Sequence, residues 1–284
     1  MNPNFSDLLE KSIEIWFSED IGNGDHTTLS TIPSSSKGKA KLLVKDEGII
    51  AGLFVVVKVF EKFDKDLSLQ VFLKDGAKIH YGDIVFELYG PVQSILQVER
   101  LSLNLLQRLS GIATQTQQYV QALEGTKSRI LDTRKTTPGL RFLEKEAVRL
   151  GGGVNHRAGL YDMILIKDNH IDFSGGIEKA IQKTKTYLEK NNLSLKIEVE
   201  ARNLEDVEKI LKEGGVDRIL LDNFTPELTR EAVKMINGIA ETESSGGITL
   251  DNIRSYGECG VDYVSVGALT HQIKSLDLSL KAIF

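Results

Sequence analysis

The sequence predicts an α/β protein whose second part is a β/α barrel. Three observations lead there. From residue 128 onward, short apolar runs recur: "SRILD", "DMILI", "LKIEVE", "DRILLD", "GIAETE" and "VDYVSVG". Most gaps between them carry amphipathic patterns such as "LRFLEKEAVRLG", "GIEKAIQKTKTYLEK", "NLEDVEKILKEGG" and "PELTREAVKMING". That alternation is the grammar of parallel strands joined by crossover helices. Polar residues also recur at the C-terminal end of each run, the end at which parallel βα folds build their sites. Six strands allow a doubly wound sheet or a barrel, and the delivery of chemistry by every unit at one end favours the barrel.

Ahead of this region the texture differs. Residues 5–19 predict a helix with Phe5, Leu8, Leu9, Ser12, Ile13 and Trp16 on one face. Residues 39–48 and 68–96 alternate strand-like stretches with turns, and 52–63 fits a helix between them. Residues 94–124 form one long helical pattern interrupted by Gly111. Glycine inside a helix costs about 1 kcal/mol, so a break or domain junction is expected there. The expected domains are therefore 1–110 and 111–269, which leaves 270–284 outside the second. No low-complexity segment and no repeat beyond the βα rhythm is present.

The bulk numbers narrow the function. The chain has 284 residues and a formal net charge of −5, which argues against nucleic acid or an anionic membrane as partner. Residues 127–170 invert this, with nine Lys or Arg against five Asp or Glu. A focused positive zone in an acidic protein suggests a small anionic ligand. Cys259 is the only cysteine, so neither a disulfide framework nor a thiolate metal site forms within one chain. The longest apolar run, "IIAGLFVVV" (49–57), is far short of the roughly 20 residues a span requires. The N-terminus lacks the features of a signal peptide. We expect a soluble cytoplasmic protein.

The strand ends carry Asp132–Arg134–Lys135, Lys167–Asp168–Asn169, Glu198–Glu200, Asp222–Asn223, Glu243–Ser244–Ser245 and Gly267. Arg134, Lys135, Arg157 and Lys167 are the candidate cations. Arg presents a planar fork that matches a carboxylate, and Lys supplies a compact charge. With His156 they would neutralise two carboxylates and a phosphate on small ligands; the bland reading is a solvated basic face. Glu200 and Asp222 each close an apolar strand and offer oxygen ligands for Mg²⁺, or acceptors for a ribose diol, or mere caps. Of Glu198 and Glu200, we expect one to face the barrel interior and the other the helix layer. "SSGGI" (244–248) and "VGAL" (266–269) follow the last two strands, where barrels commonly bind phosphate. "GGGVNHR" (151–157) fits close backbone approach to a ligand, or a helix stop. His156 would bind a carboxylate or donate a proton. His26 and His170 are further candidates with structural readings favoured; His80 and His271 carry none. No nucleophile motif, phosphate-binding loop of the Walker type or dinucleotide fingerprint occurs, which leaves positioning and electrostatics as the catalytic means.

At this point a resemblance enters. "DTRKTTPGLRFLEKEAVRLGGGVNHRAGLYDMILIKDNHI" (132–171) resembles the signature of the decarboxylating quinolinate phosphoribosyltransferases. "EDIGNGDHTT" (19–28), "ERLSLNLLQRLSGIAT" (99–114), "IEVE" (197–200), "LLDNF" (220–224), "SSGGITLDNI" (244–253) and "SVGALTHQIKSLDLSLK" (265–281) extend the likeness over nearly the whole chain.

The resemblance implies an N-terminal α/β sandwich domain, to which the chain's last helix returns, and a C-terminal open β/α barrel with fewer than eight strands. It implies phosphoribosyl transfer from phosphoribosyl pyrophosphate to quinolinate with decarboxylation, in NAD biosynthesis, with Mg²⁺. It implies a homodimer, or a higher oligomer such as a hexamer, in which Arg100 of one subunit completes the partner's site. By motif, Arg134, Lys135, Thr136, His156, Arg157 and Lys167 resemble the quinolinate and phosphate contacts, and Lys135, Glu200 and Asp222 the catalytic set. Glu200 and Asp222 resemble the ribose and Mg²⁺ acids. Ser245, Gly246, Gly247, Val266, Gly267 and Ala268 resemble the 5′-phosphate cradle. One departure is Gly214–Gly215, which adds a residue between Glu200 and Asp222 in a loop away from the chemistry. A related phosphoribosyltransferase with another ligand, such as nicotinate, is the nearest rival; a dicarboxylate clamp with spare cations argues against it. A non-catalytic phosphate sensor is the other rival, and it would not require the two acids.

Overall fold

The computed structural model describes residues 5–283. In chain order the first elements are α1 (Phe5–Asp20), α2 (His26–Thr31), β1 (Lys37–Val44), β2 (Gly48–Ile49), α3 (Leu53–Phe63), β3 (Ser68–Val71), β4 (Lys78–Ile79), β5 (Ile84–Pro91) and α4 (Val92–Ala122). Then follow β6 (Arg129–Leu131), α5 (Arg141–Leu150), β7 (Ile164–Ile166), α6 (Asp168–Ser174), α7 (Ile177–Asn191), β8 (Ile197–Ala201), α8 (Leu204–Glu213), β9 (Arg218–Asp222) and α9 (Pro226–Ile236). The last are β10 (Glu241–Ser245), α10 (Ile253–Gly257), β11 (Tyr263–Ser265), α11 (Ala268–His271) and β12 (Leu278–Ile283). Two compact units result. One holds the residues up to Gln117, Thr136–Gly152 and those from Gln272; the other holds Gln118–Lys135 and Gly153–His271. Among the described residues no helix is long and apolar enough to cross a membrane.

The first unit is built on a four-stranded antiparallel sheet in the order β12-β1-β5-β3. Ala40, Leu42 and Val44 alternate along β1 and are buried, the period-2 pattern of a half-buried strand. α3 buries Leu53, Val55, Val56, Val59 and Phe60, and the Phe60 and Phe86 rings meet edge to face at 5.8 Å. The chain's end is a strand, not the expected helix. β12 pairs with β1, Leu280 opposite Leu42 and Leu278 opposite Val44. "LDLSLKAI" places Leu278 and Leu280 on one face and Ser279 and Lys281 on the other, which a helix cannot do with that spacing.

Gly111 does not break α4. A Cβ at this position would run into the Lys274 carbonyl, so the glycine lets two backbones approach rather than ending the helix. The segment 136–152 clusters with the first unit although it lies between two barrel strands in sequence. Its Glu144 is fully buried and accepts from Arg108 Nε at 2.9 Å and Nη2 at 2.6 Å, while its second oxygen takes the Thr137 N–H at 3.1 Å.

The second unit is the barrel. Its six strands are all parallel in the order β6-β11-β10-β9-β8-β7. From β7 to β11 each strand pairs with the next, and β11 then pairs with β6, the first. A doubly wound sheet would reverse direction at its middle; this one does not. The sheet is therefore a singly wound barrel, open between β6 and β7. The register aligns Glu198 with Arg218 and Glu241, Glu200 with Leu220 and Glu243, and Asp222 with Ser245. These residues share one face of the sheet. The other face carries Val199, Ile219 and Leu221, all fully buried, and suits the apolar stripes of α8 (Val207, Ile210) and α9 (Ala232, Ile236).

Replacing Gly111 with Ala should lower stability by about 1–3 kcal/mol, as overpacking does. Helix propensity alone predicts a gain of about 1 kcal/mol. A denaturant midpoint that rises would refute the close-approach reading of this glycine.

Candidate active site

The barrel unit collects its charged residues at the C-terminal ends of its strands. Arg134 and Lys135 follow β6 and are exposed. The Lys135 N–H donates to Thr133 Oγ1 at 3.0 Å, and its carbonyl accepts from Thr270 Oγ1 at 2.8 Å. A Cβ on Gly267 would come within 3.0 Å of Lys135 Cδ. The Lys135 stem thus lies against the turn Val266–Gly267–Ala268, because β6 and β11 are neighbours. Any side chain at 267 would crowd it.

Lys167 follows β7, exposed, with Nζ 4.0 Å from Glu200 Oε2. Its backbone N–H donates to His170 Nδ1 at 3.0 Å, so His170 serves the start of α6, as its structural reading expects. Arg157 is half-buried and its Nη1 donates to the Met163 carbonyl at 3.2 Å. Burial pulls its pKa down, and the charge of Arg134 beside it pulls further. Two guanidinium groups held together in this way favour an anion between them. Thr136 belongs to the first unit, where its Oγ1 accepts from Arg141 Nε at 2.9 Å. Arg100 also belongs there, exposed on α4.

The acids come from the middle strands. Glu200 is 6% exposed, and its pKa is raised by burial and then by Asp222 beside it, against the pull of Lys167. Asp222 ends β9 opposite Ser245 of β10. The Asn223 N–H donates to the Ser245 carbonyl at 2.9 Å. Gly246 (φ 94°) and Gly247 (φ 61°) then take left-handed conformations, and a Cβ on Gly246 would collide with Asn223 while one on Gly247 meets nothing. The loop therefore leaves backbone open beside the acids.

Glu198 does not face the helix layer. Side chains at i and i+2 share one face of a strand, so Glu198 and Glu200 point the same way and differ only in depth. Glu198 is fully buried. Its Oε2 lies 3.1 Å from His156 Nε2, which is 3.5 Å from Glu243 Oε2. Arg218 Nη1 donates to Glu243 Oε2 at 3.0 Å, and its guanidinium lies 4.2 Å over the Tyr263 ring. Burial pushes Glu198 up to about 7 and Glu243 up to about 8. His156 thus turns its ring into the barrel, toward carboxylates, instead of presenting it with the exposed cations. Arg218 was not among the sequence candidates, and Glu243 was named only as a strand-end residue with no role assigned. The signal was there: "RILLD" and "ETE" place charges four and two residues apart in strands, and even spacings align them on one face.

Comparisons with known proteins agree along the whole chain. Residues 112–281 match the family model for the C-terminal domain of quinolinate phosphoribosyl transferase, and 25–110 that for its N-terminal domain. A Bacillus subtilis protein named probable nicotinate-nucleotide pyrophosphorylase [carboxylating] is 44% identical over 272 residues, covering 96% of this chain and 92% of that one. A Nicotiana glauca mitochondrial quinolinate phosphoribosyltransferase [decarboxylating] is 42% identical, covering 96% and 82%. The crystal structure of NadC from Streptococcus pyogenes superposes with a TM-score of 0.93 at 39% identity, covering 100% and 99%.

The raised carboxyl of Glu243 makes stability depend on pH. The folded state holds its proton from the ordinary value of 4.5 up to about 8, where the unfolded chain has already released it. Stability should therefore fall as pH rises through that window. Glu243→Gln removes the titration and should flatten the slope of melting temperature against pH. Equal slopes in the two proteins would refute the assignment.

Proposed function

The chain belongs to the quinolinate phosphoribosyltransferase family, and on that premise we propose how its residues carry the reaction. The enzyme transfers the phosphoribosyl group of phosphoribosyl pyrophosphate to the ring nitrogen of quinolinate, with loss of CO₂, giving nicotinate mononucleotide and pyrophosphate in NAD biosynthesis. The observation that supports the roles below is the adjacency of Lys135 to the Gly267 turn. It sets the cations for a dicarboxylate beside a backbone suited to a phosphate.

Arg134, Arg157 and Lys167 grip the two carboxylates of quinolinate, the guanidinium forks bidentately. Lys135 and Thr136 reach the phosphates. Ser245, Gly246, Gly247, Val266, Gly267 and Ala268 offer backbone N–H groups to the 5′-phosphate. Glu200 and Asp222 accept from the ribose diol and supply an oxygen-only donor set of two neighbouring acids, which fits Mg²⁺. When bound, Mg²⁺ neutralises charge on the departing pyrophosphate. With the dianion held in place, the pyridine nitrogen attacks C1 of the ribose as the bond to pyrophosphate breaks. The nitrogen, now cationic, stabilises the electron pair that departing CO₂ leaves on the adjacent ring carbon, and that carbon then takes a proton.

The same reading makes the protein a homodimer or a higher oligomer such as a hexamer, with the exposed Arg100 completing the partner's site. The buried lone Cys259 is compatible with work in a reducing cytoplasm.

Purified protein given quinolinate, phosphoribosyl pyrophosphate and Mg²⁺ should release CO₂ and nicotinate mononucleotide, EDTA should stop it, and nicotinate should not replace quinolinate. No product from intact folded protein would overturn the ligand assignment. Arg134→Ala should raise the KM for quinolinate or lower kcat by about a decade or more, roughly 1.4 kcal/mol per decade; unchanged kinetics would remove it from the site. Mixing impaired Arg100→Ala with impaired Arg134→Ala should raise activity above that of either variant alone through hybrid dimers. No recovery despite demonstrated subunit exchange would exclude a shared site.

A further inference from the structure

The buried group formed by His156, Glu198 and Glu243 has no part in the reaction as described. Its geometry is nonetheless directed at Arg157. The His156 backbone N–H donates to Asp132 Oδ1 at 2.8 Å, which anchors the residue to the end of β6. The Arg157 backbone N–H donates to His156 Nδ1 at 2.7 Å. A nitrogen that accepts carries no proton, so the ring's proton sits on Nε2. Nε2 faces Glu198 Oε2 at 3.1 Å and Glu243 Oε2 at 3.5 Å, with the imidazole 7% exposed and the two carboxylates at 0% and 1%.

We propose that Glu198 and Glu243 are positioning residues for Arg157, acting through His156. A ring N–H held within 3.1 and 3.5 Å of two buried carboxyl groups is drawn toward them electrostatically, although Glu198 takes no hydrogen bond from it. That orientation leaves Nδ1 where the Arg157 N–H meets it. Turning the ring over would put Cδ2 where Nδ1 now meets the Arg157 N–H and Cε1 where Nε2 now faces the carboxyl groups, so both contacts would be lost. The two acids thereby set the backbone at 157, and with it the guanidinium that the family reading gives to the substrate; the proposal rests on that reading for this last link.

The same three groups have ligand atoms within 4.8 Å of one another, a spacing that a metal ion also satisfies. The tautomer argues against it. A metal on Nε2 requires that nitrogen bare, and the ring would then need its proton on Nδ1, where it accepts from Arg157.

The test combines a spectrum with kinetics. In the wild-type enzyme, ¹⁵N signals of His156 should show a bare Nδ1 and a protonated Nε2. Glu198→Gln, whose amide oxygen keeps a polar atom beside Nε2, should keep that tautomer and near-normal kinetics. Glu198→Ala should raise the KM for quinolinate about ten- to hundredfold, the loss that small misplacement of a binding group produces. Its KM for phosphoribosyl pyrophosphate should change by less than about twofold, a threshold well under the tenfold that 1.36 kcal/mol represents. A general structural loss would move both KM values together, and Gln would not rescue it. Parallel shifts, equal behaviour of Gln and Ala, a proton on Nδ1, or a tightly held divalent metal in the purified protein would each overturn the proposal. If Glu198→Ala does not fold, the wild-type tautomer and the Gln variant decide. If quinolinate is not turned over at all, the family reading fails, and the tautomer alone still decides whether the carboxylates orient the ring.

Discussion

The pairing of β6 with β11, Arg129 opposite Tyr263 and Leu131 opposite Ser265, is the contact on which the site depends. It joins the first strand of the barrel to the last. Without it β6, with Arg134 and Lys135 behind it, would be detached from the row that runs from β7 to β11, whose last two strands carry the glycine turns. With it, the loop that carries two cations runs beside Val266–Gly267–Ala268, and Thr270 ties the Lys135 carbonyl in place. Parallel strands all deliver their loops to one end, so the remaining charges arrive at the same mouth. Each strand contributes one or two groups, none of which would form a site alone.

Below that mouth the barrel interior holds charge where such barrels usually stack branched apolar side chains. Taking a charge out of water costs several kcal/mol unless it is paired. Two arrangements offset the cost here. Arg218 bridges Glu241 and Glu243 and lies over the Tyr263 ring. Glu198 and Glu243 also retain protons to unusually high pH because burial disfavours their charged forms. Glu243 Oε1 and both oxygens of Glu198 nonetheless lack a hydrogen-bond partner. A core that keeps such groups has given up stability, and the orientation of His156 is what the arrangement secures.

The first unit answers a different demand. Its sheet takes β1 and β5 from early in the chain and closes with β12 from its very end. The buried Glu144 gathers Arg108 and Thr137 into one network, so residues just past Lys135 are held by a fixed ion pair. Two Arg108 nitrogens donate to one oxygen of the fully buried Glu144, and such charge-assisted hydrogen bonds are among the stronger kinds of contact. Gly111 serves the same unit by allowing α4 to pass close to the carbonyl of Lys274.

Much of this was legible in the sequence. Apolar runs with amphipathic gaps gave away the six parallel strands, because strand and helix periods are local properties of neighbouring residues. The exposed cations Arg134, Lys135 and Lys167 and the acids Glu200 and Asp222 announced themselves as charges at the ends of apolar runs. Three features did not. The helix pattern of 141–150 carries no mark of which unit its buried face joins. "LDLSLKAI" reads as a strand only once β1 is there to pair with it. The inward turn of His156 depends on Glu198 and Glu243, residues 42 and 87 positions away along the chain. The sequence by itself determined which segments become strands and which charges sit at their ends, since those follow from periodicity. Only the tertiary structure decided which strands are neighbours and where each polar side chain points, since those follow from contacts between segments far apart in the chain.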